Sequence, residues 1–312
     1  MRPFSRTHSV IALAGGLVAM PAIAQIPFPA ATRTAIEGAL GRKGTPNPGG
    51  VLKFALPRTD LQVVLSGVTL KPALALGSWV AFQRISDHAE VMGDLVLLES
   101  EVAEVMGSLQ QNGVEQTALH NHLLGESPRV MYMHIHAIGN PARIARAIRT
   151  ALGFSGTPLS VPATPTAPPL PVTAAGVPAP PPLVLDTAAV ARALGVHGKM
   201  NGSVYQLSIP RHEKIKDDKR EIPSSMGIST AINFQPTGVG KAVVAGDFVL
   251  LGREVSPVLW ALNENGISVT AIHSHMLSEL PRLFFMHFWG NDDALKLARG
   301  LRAALDRTAA KR

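Results

Sequence analysis

A chain of 312 residues that is 46% hydrophobic can bury substantial cores, and its length suggests about two domains. The formal charge of +7 is scattered: the densest basic run, residues 211–220, interleaves Glu213, Asp217 and Asp218, and only two Tyr and three Trp are present. This argues against a nucleic-acid face. Cysteine is absent, which excludes disulfides, thiolate nucleophiles, thiolate metal ligands and a lipid-bearing cysteine, so any metal chemistry must use nitrogen and oxygen.

Residues 1–24 read as a secretory signal peptide. Arg2 and Arg6 supply the positive start, residues 10–20 the apolar centre, and Ala22, Ile23 and Ala24 the small-residue cleavage site. The mature chain is expected to begin at Gln25 and to be periplasmic or secreted. Pro21 breaks the apolar run and no later stretch is apolar for long enough to cross a bilayer, so no stable membrane span is expected. Arg2 and Arg6 are not adjacent, which disfavours the twin-arginine route.

Residues 34–42 have helical spacing and end at a Gly/Pro-rich break over 44–50. Residues 51–57, 61–68 and 79–85 read as short strands, and 90–98 as a further strand that holds Gly93 and Asp94. Val102, Val105, Met106 and Leu109 form a helical stripe, closed by Asn112 and Gly113 in the manner of a left-handed cap. Residues 114–122 and 130–138 are two more strands joined by a seven-residue loop, and Asn140-Pro141 opens a final helix as N-cap and first turn. Residues 154–185 contain ten prolines and predict an extended linker.

Beyond the linker the plan recurs 153 positions on: His120, His122, Glu126, Pro128, Arg129 and His134 return as His273, His275, Glu279, Pro281, Arg282 and His287. At the same offset Gly93-Asp94 matches Gly246-Asp247, Glu101 matches Glu254, Asn112-Gly113 matches Asn265-Gly266, and Pro57-Arg58 matches Pro210-Arg211. The chain therefore reads as a first repeat over 25–153, the linker, and a second repeat over 186–309. Two copies are too few for a solenoid, and each is long enough to fold around its own core. The expected class is α+β, each repeat an antiparallel sheet with helices packed on one face in β-β-α-β-β-α order.

In a strand, alternate side chains share a face, so His120 and His122 point the same way about 7 Å apart, as do His134 and His136. A hairpin register can bring His134 beside the first pair, and Glu126 can swing in from the connecting loop. His120, His122, Glu126 and His134, and again His273, His275, Glu279 and His287, are thus a candidate metal set in each repeat. Three imidazoles and a carboxylate suit a divalent transition metal, zinc first, with iron, manganese, copper and nickel open. Seven of the eleven histidines lie in or beside these windows. Around them the copies have diverged, His136 facing Trp289 in the alignment, while the set persists. The opposing view is that histidines in strands are often only half-buried polar residues. Arg129 and Arg282, each after a proline, are expected to lock the loop by bonding a carboxylate, with binding of an anionic substrate as the alternative. Asp94 and Asp247 are expected either to orient a ligand histidine or to serve a turn or bulge. By strand parity Met133 and Met286 should pack in the core, away from the histidines.

At Gly246-Asp247, at the window from Thr117 to Glu126 and at Pro128-Arg129 through His134, the sequence resembles the LppY/LpqO family of exported bacterial proteins, a domain of unknown function. The resemblance covers nearly the whole expected mature chain and implies export, though without the cysteine that a lipoprotein needs. The His-x-His-x-x-x-Glu spacing also looks like the first metal motif of cupins, but His134 follows too closely, and a helix stands where a barrel would continue with strands.

Three functions compete: a metal-binding protein for storage, sensing or delivery; a metal-dependent hydrolase or lyase on a cell-wall or small polar substrate with Glu126 or Glu279 as general base; and a metal-free interaction module with structural or pH-responsive histidines. No serine sits in a nucleophile-elbow pattern.

Overall fold

The structure, a computed structural model, describes residues 26–159 and 184–311; the expected signal peptide, and residues 160–183 of the expected linker, lie outside them. In the first repeat α1 (Ala30–Leu40), β1 (Thr45–Asn47) and β2 (Val51–Pro57) are followed by an arm made of β3 (Val64–Leu65), β4 (Val68–Thr69) and the single turn α2 (Pro72–Ala75). Then come β5 (Gly77–Ile85), β6 (His88–Leu98), α3 (Val102–Gln111), β7 (Glu115–His120), β8 (Val130–Gly139) and α4 (Pro141–Leu152). The second repeat has α5 (Thr187–Leu194), β9 (Lys199–Asn201), β10 (Val204–Pro210), an arm with β11 (Lys216–Asp217) and β12 (Arg220–Glu221), then β13 (Ser229–Gly238) and β14 (Lys241–Leu251). It closes with α6 (Gly252–Glu264), β15 (Ser268–His273), β16 (Leu283–Asp293) and α7 (Ala294–Leu305). Among the described residues no helix is long and apolar enough to cross a membrane.

Each repeat forms one six-stranded antiparallel sheet, ordered β1-β2-β5-β6-β8-β7 and β9-β10-β13-β14-β16-β15. Each therefore carries a leading helix, a short edge strand, a further sheet strand (β2 or β10) and an inserted arm ahead of a β-β-α-β-β-α run. The expected strand over 61–68 is replaced by the β3-β4 hairpin. Ser66 and Gly67, at φ 50° and 77°, turn the chain back, as two successive left-handed residues do in the tight hairpins that match strand twist. The final helix starts as its sequence dictates: Asn140 Oδ1 accepts from Arg143 N at 3.0 Å, with Pro141 in the first turn.

The layers follow from the alternation of side chains along the strands. In β6 and β8, Val91, Leu95, Met133 and Ile135 pack under α1, α3 and α4. In β14 and β16, Val244, Phe248, Met286 and Phe288 pack under α5, α6 and α7. Met133 and Met286 thus lie in the helix-side cores, as parity predicts. The opposite faces of the two sheets meet each other, so the protein is a helix, sheet, sheet, helix sandwich. This inner layer has two apolar clusters: Met92, Val249 and Phe285 belong to one, Val96, Tyr132 and Ala245 to the other. Along β6 and β14, Asp94 and Asp247 fall between them.

The arms cross from one repeat to the other. Gln206 and Asn233 donate to the Ala73 and Leu74 carbonyls at 2.7 and 3.0 Å, and Gln235 bonds the backbone of Thr69 and Lys71. In return, Ser225 donates to Pro48 O at 2.8 Å and Arg220 reaches Glu90.

A duplicated pin holds each arm at its root. Arg58 is fully buried between Asp60, Glu101 and Val96 O; Arg211 repeats this with Glu213, Glu254 and Val249 O. Removing one partner of a buried pair strands the other charge. Arg211→Ala should therefore cost about 3–5 kcal/mol in a denaturant titration; a loss below about 1 kcal/mol would show that Glu254 is satisfied by its bonds to the Leu251 and Ala309 amides alone.

Candidate metal centre

The histidine sets of the two repeats do not form separate sites: they meet on the inner layer. His120 ends β7, His122 lies two residues beyond it in the loop, and His134 sits mid-β8, opposite Asp94 in register; His273, His275 and His287 repeat this with Asp247. The strand expected over 114–122 stops at His120, so His122 reaches the site from the loop. Across the join the six rings pair off, His120 with His273 at 3.6 Å between centroids, His122 with His287 at 3.7 Å, and His134 with His275 at 3.6 Å. Two overlapping groups have ligand atoms within 4.8 Å of one another: His120, His122 and His134, and His120, His273, His275 and His287. His120 belongs to both.

Side chains around the cluster fix the rings. Tyr132 and Phe285, at equivalent positions, stack on His122 and His275 at 3.3 and 3.4 Å, and Tyr132 is held by donating to Ala75 O at 2.9 Å. His287 Nδ1 lies 3.2 Å from Gly246 O, and His120 Nδ1 3.3 Å from Asn121 O. An Nδ1–H that donates to a carbonyl leaves the Nε2 lone pair free for a ligand. The loops are also tied across the join, Thr270 Oγ1 donating to His122 O at 2.6 Å and Asn121 Nδ2 to Thr270 O at 3.2 Å.

Two aspartates flank the rings. Asp94 Oδ2 is 3.7 Å from His122 Nε2 and its Oδ1 is 3.8 Å from His134 Nε2; Asp247 Oδ2 is 3.8 Å from His275 Nε2. These separations exceed a hydrogen bond. The preceding glycines serve strand packing: a Cβ at Gly246 would collide with the Ala231 carbonyl, and one at Gly93 would sit 2.8 Å from Trp79 O. Register runs unbroken through Gly93-Asp94 and Gly246-Asp247, so neither pair makes a turn or bulge.

The Nε2 of all six histidines and the Oδ1 of Asp94 and Asp247 are buried with no hydrogen-bond partner. Each such atom costs about 1–3 kcal/mol unless something meets it. Burial, reinforced by the neighbouring imidazoles, pushes His120 down to about 3 and His122, His134, His275 and His287 well below the ordinary histidine value, while burial takes His273 down to about 4. Burial raises Asp94 to about 7 and Asp247 well above the carboxylate range. Neutral imidazole is the ligating form, and a nearby cation would reverse the penalty on both carboxylates. Six nitrogens and two carboxylates, with no sulfur, suit zinc, iron, manganese, copper or nickel. Ligand atoms that all lie within 4.8 Å of one another are within modest ring movements of the roughly 3.3 Å that separates nitrogens around a tetrahedral zinc.

Glu126 and Glu279 do not join the cluster. Both are buried, but Glu126 Oε1 accepts from Val130 N at 3.3 Å, and Glu279 accepts from Leu283 N at 2.9 Å and Arg282 at 3.2 Å. Neither belongs to any group of three or more prospective ligands among the described residues. A carboxylate four residues before a strand's first amide caps that amide, and this holds each glutamate on its loop. Arg282 does lock its loop, donating also to Met276 O, whereas Arg129 is exposed. Glu126→Gln with Glu279→Gln should leave metal content unchanged while lowering stability by about 1–3 kcal/mol, as elemental analysis and thermal unfolding would show; a lost ion would return them to the ligand set.

On one side the cluster opens into a cavity of about 1210 Å³ that reaches Asp94, Asp247, His134 and His287. A third group, Glu90, His136 and Asp217, already takes Arg220 into its carboxylate and is an ion-pair network between the repeats.

Residues 34–153 and 188–307 each match a family described as Domain of Unknown Function (DUF1259). No curated protein matches. Among solved structures the chain is similar to a trimeric bacterial microcompartment shell protein, PduB, at 12% identity over 83% of this chain and 88% of that one, with a TM-score of 0.18. EtuB from Clostridium kluyveri follows at 9% identity over 84% and 90%, with a TM-score of 0.19. Superpositions this poor carry no argument about the fold or its use.

Proposed function

The chain belongs to that family, whose description assigns no activity, and we propose from its geometry that it is an exported metal-binding protein holding a divalent transition ion, zinc first, in one composite centre shared by its two repeats. The observation that carries this reading is the set of six unpartnered Nε2 atoms converging from both halves, beside two unpartnered carboxylate oxygens. We place the protein in the periplasm or outside the cell on the signal-like residues 1–24, and align it with the LppY/LpqO proteins on the motifs they share. His120, His122, His134, His273, His275 and His287 are the proposed ligands, with Asp94 and Asp247 balancing charge. The test is elemental analysis of the purified full-length protein before and after chelation. Near-stoichiometric metal, removed by chelator and restored from a panel of zinc, iron, manganese, copper and nickel, supports it; no retention of any of these ions refutes it.

The cavity favours a second reading, a metal-dependent hydrolase or lyase, since a pure storage site needs no chamber of this size. The bound ion would supply Lewis acidity there. In that reading the carboxyls near enough to move a proton are Asp94 and Asp247, because Glu126 and Glu279 are engaged by their loops.

A further inference from the structure

We propose that the cavity is a binding pocket for a small oxyanion-bearing molecule, a carboxylate or a phosphate, anchored by Lys53. This goes beyond the metal reading and stands on different residues, those of the cavity wall. Alternation in β2 turns Leu52, Phe54 and Leu56 toward the helices and leaves Lys53, Ala55 and Pro57 lining the cavity. Lys53 Nζ lies 4.0 Å over the Trp79 ring and donates to Ser225 O at 3.3 Å. No carboxylate comes within the 4.0 Å of an ion pair among the described residues. An ammonium has three donors, and here only one is used by the protein. Ring and carbonyl hold the group in place without neutralising it. Burial brings this lysine down to about 8, against the opposing pull of Asp94, which acts from beyond ion-pair distance.

The other repeat shows what a structural occupant of this position looks like. The equivalent residue is Gln206, which accepts from Asn201 at 3.1 Å and donates to Ala73 O at 2.7 Å, so both ends are spent on the fold. Register also sets Ala231 opposite Asp247 where Trp79 stands opposite Asp94. The repeats are thus matched in their histidines and mismatched in this wall: Lys71 and Lys199 also line the cavity but are exposed, whereas Lys53 is the half-buried cation of the wall, on the side of Asp94. An oxyanion seated on Lys53 would satisfy its free donors and would lie on the side of the cavity that leads to the cluster.

The test uses the full chain, stripped of metal by a chelator that is then dialysed away, and follows the emission of its three tryptophans while inorganic phosphate or succinate is titrated. A saturable change is expected with at least one of them. Phosphate alone responding assigns a phosphate ligand, succinate alone a carboxylate, and both a shared oxyanion site. Lys53→Gln should weaken binding by about tenfold or more, as loss of a charge-assisted bond does, with metal content and thermal midpoint unchanged. Lys53→Arg should bind within a few-fold of wild type, and Trp79→Phe should silence the emission change while calorimetry still detects heat. Wild-type affinity in Lys53→Gln, or no response to either anion, overturns the proposal. Because the titration is done without metal, its failure would leave the metal reading standing, and loss of the metal reading would leave this one.

Discussion

Replacing His120 with alanine is expected to empty the metal centre almost completely, whereas the loss of His122 is expected to be milder. His120 is the one histidine present in both ligand groups, three members from its own repeat in one and three members from the other repeat in the second. Its substitution leaves neither group intact, and removing an ion ligand outright should cost more than the roughly 10–100-fold that follows from disturbing a residue behind a ligand. Elemental analysis after equilibrium with limiting zinc gives the readout. If each repeat bound its own ion, His120→Ala would retain about half the wild-type content, and that result would sink the composite centre. His287→Ala offers the mirror test, because a second-repeat change should disturb binding by the first repeat's residues as well.

Acid should unfold the metal-free protein steeply. The six imidazoles have folded values pushed below the ordinary 6.5, to about 3 at His120 and about 4 at His273, so below pH 6.5 the unfolded chain binds protons that the folded one refuses. Their stabilisation is complete above that value and falls by about 1.4 kcal/mol per histidine for each pH unit below it. Asp94 and Asp247 act in the opposite sense. Their folded values are raised, to about 7 for Asp94, so the folded state keeps protons that the unfolded state releases between pH 7 and 4, which adds stability as pH falls. Six groups outweigh two, and the net slope of roughly 5 kcal/mol per pH unit rivals the whole stability of a typical domain. The thermal midpoint of chelated protein should therefore drop sharply from pH 7 to 5.5, and bound metal should be released over the same range, since protons and ion compete for the same nitrogens. A midpoint that stays level across that window contradicts the neutral cluster.

Much of this arrangement could be read from the chain, and what could not has identifiable causes. The unbroken offset between the copies exposes the duplication, and the alternation in residues 130–138 puts His134 on the face opposite Met133. Asn140-Pro141 marks a helix start because capping is a local matter. Three things escaped. The turn at Ser66-Gly67 interrupts an apolar run that otherwise reads as one strand, since nothing in the run itself reports left-handed backbone. The glutamates sit at metal-motif spacing, yet their carboxylates are closer to their own loop's amides than to the rings. Convergence of the two histidine sets depends on sheet packing across the join, which periodicity within one repeat does not encode. Asp94 opposite His134 was the available hint, because its strand parity places it among the histidines.

The sandwich has a consequence for how such a chain can exist. One repeat on its own would present half a ligand shell, an apolar sheet face open to water, and an arm with nothing to grip. Self-association about a two-fold axis is the arrangement that cures all three defects at once, with the ion lying close to that axis. Covalent fusion of two such subunits removes the symmetry requirement, and the Lys53–Gln206 difference is what that freedom allows: one end of the chamber can change chemically while the shared ligands stay fixed.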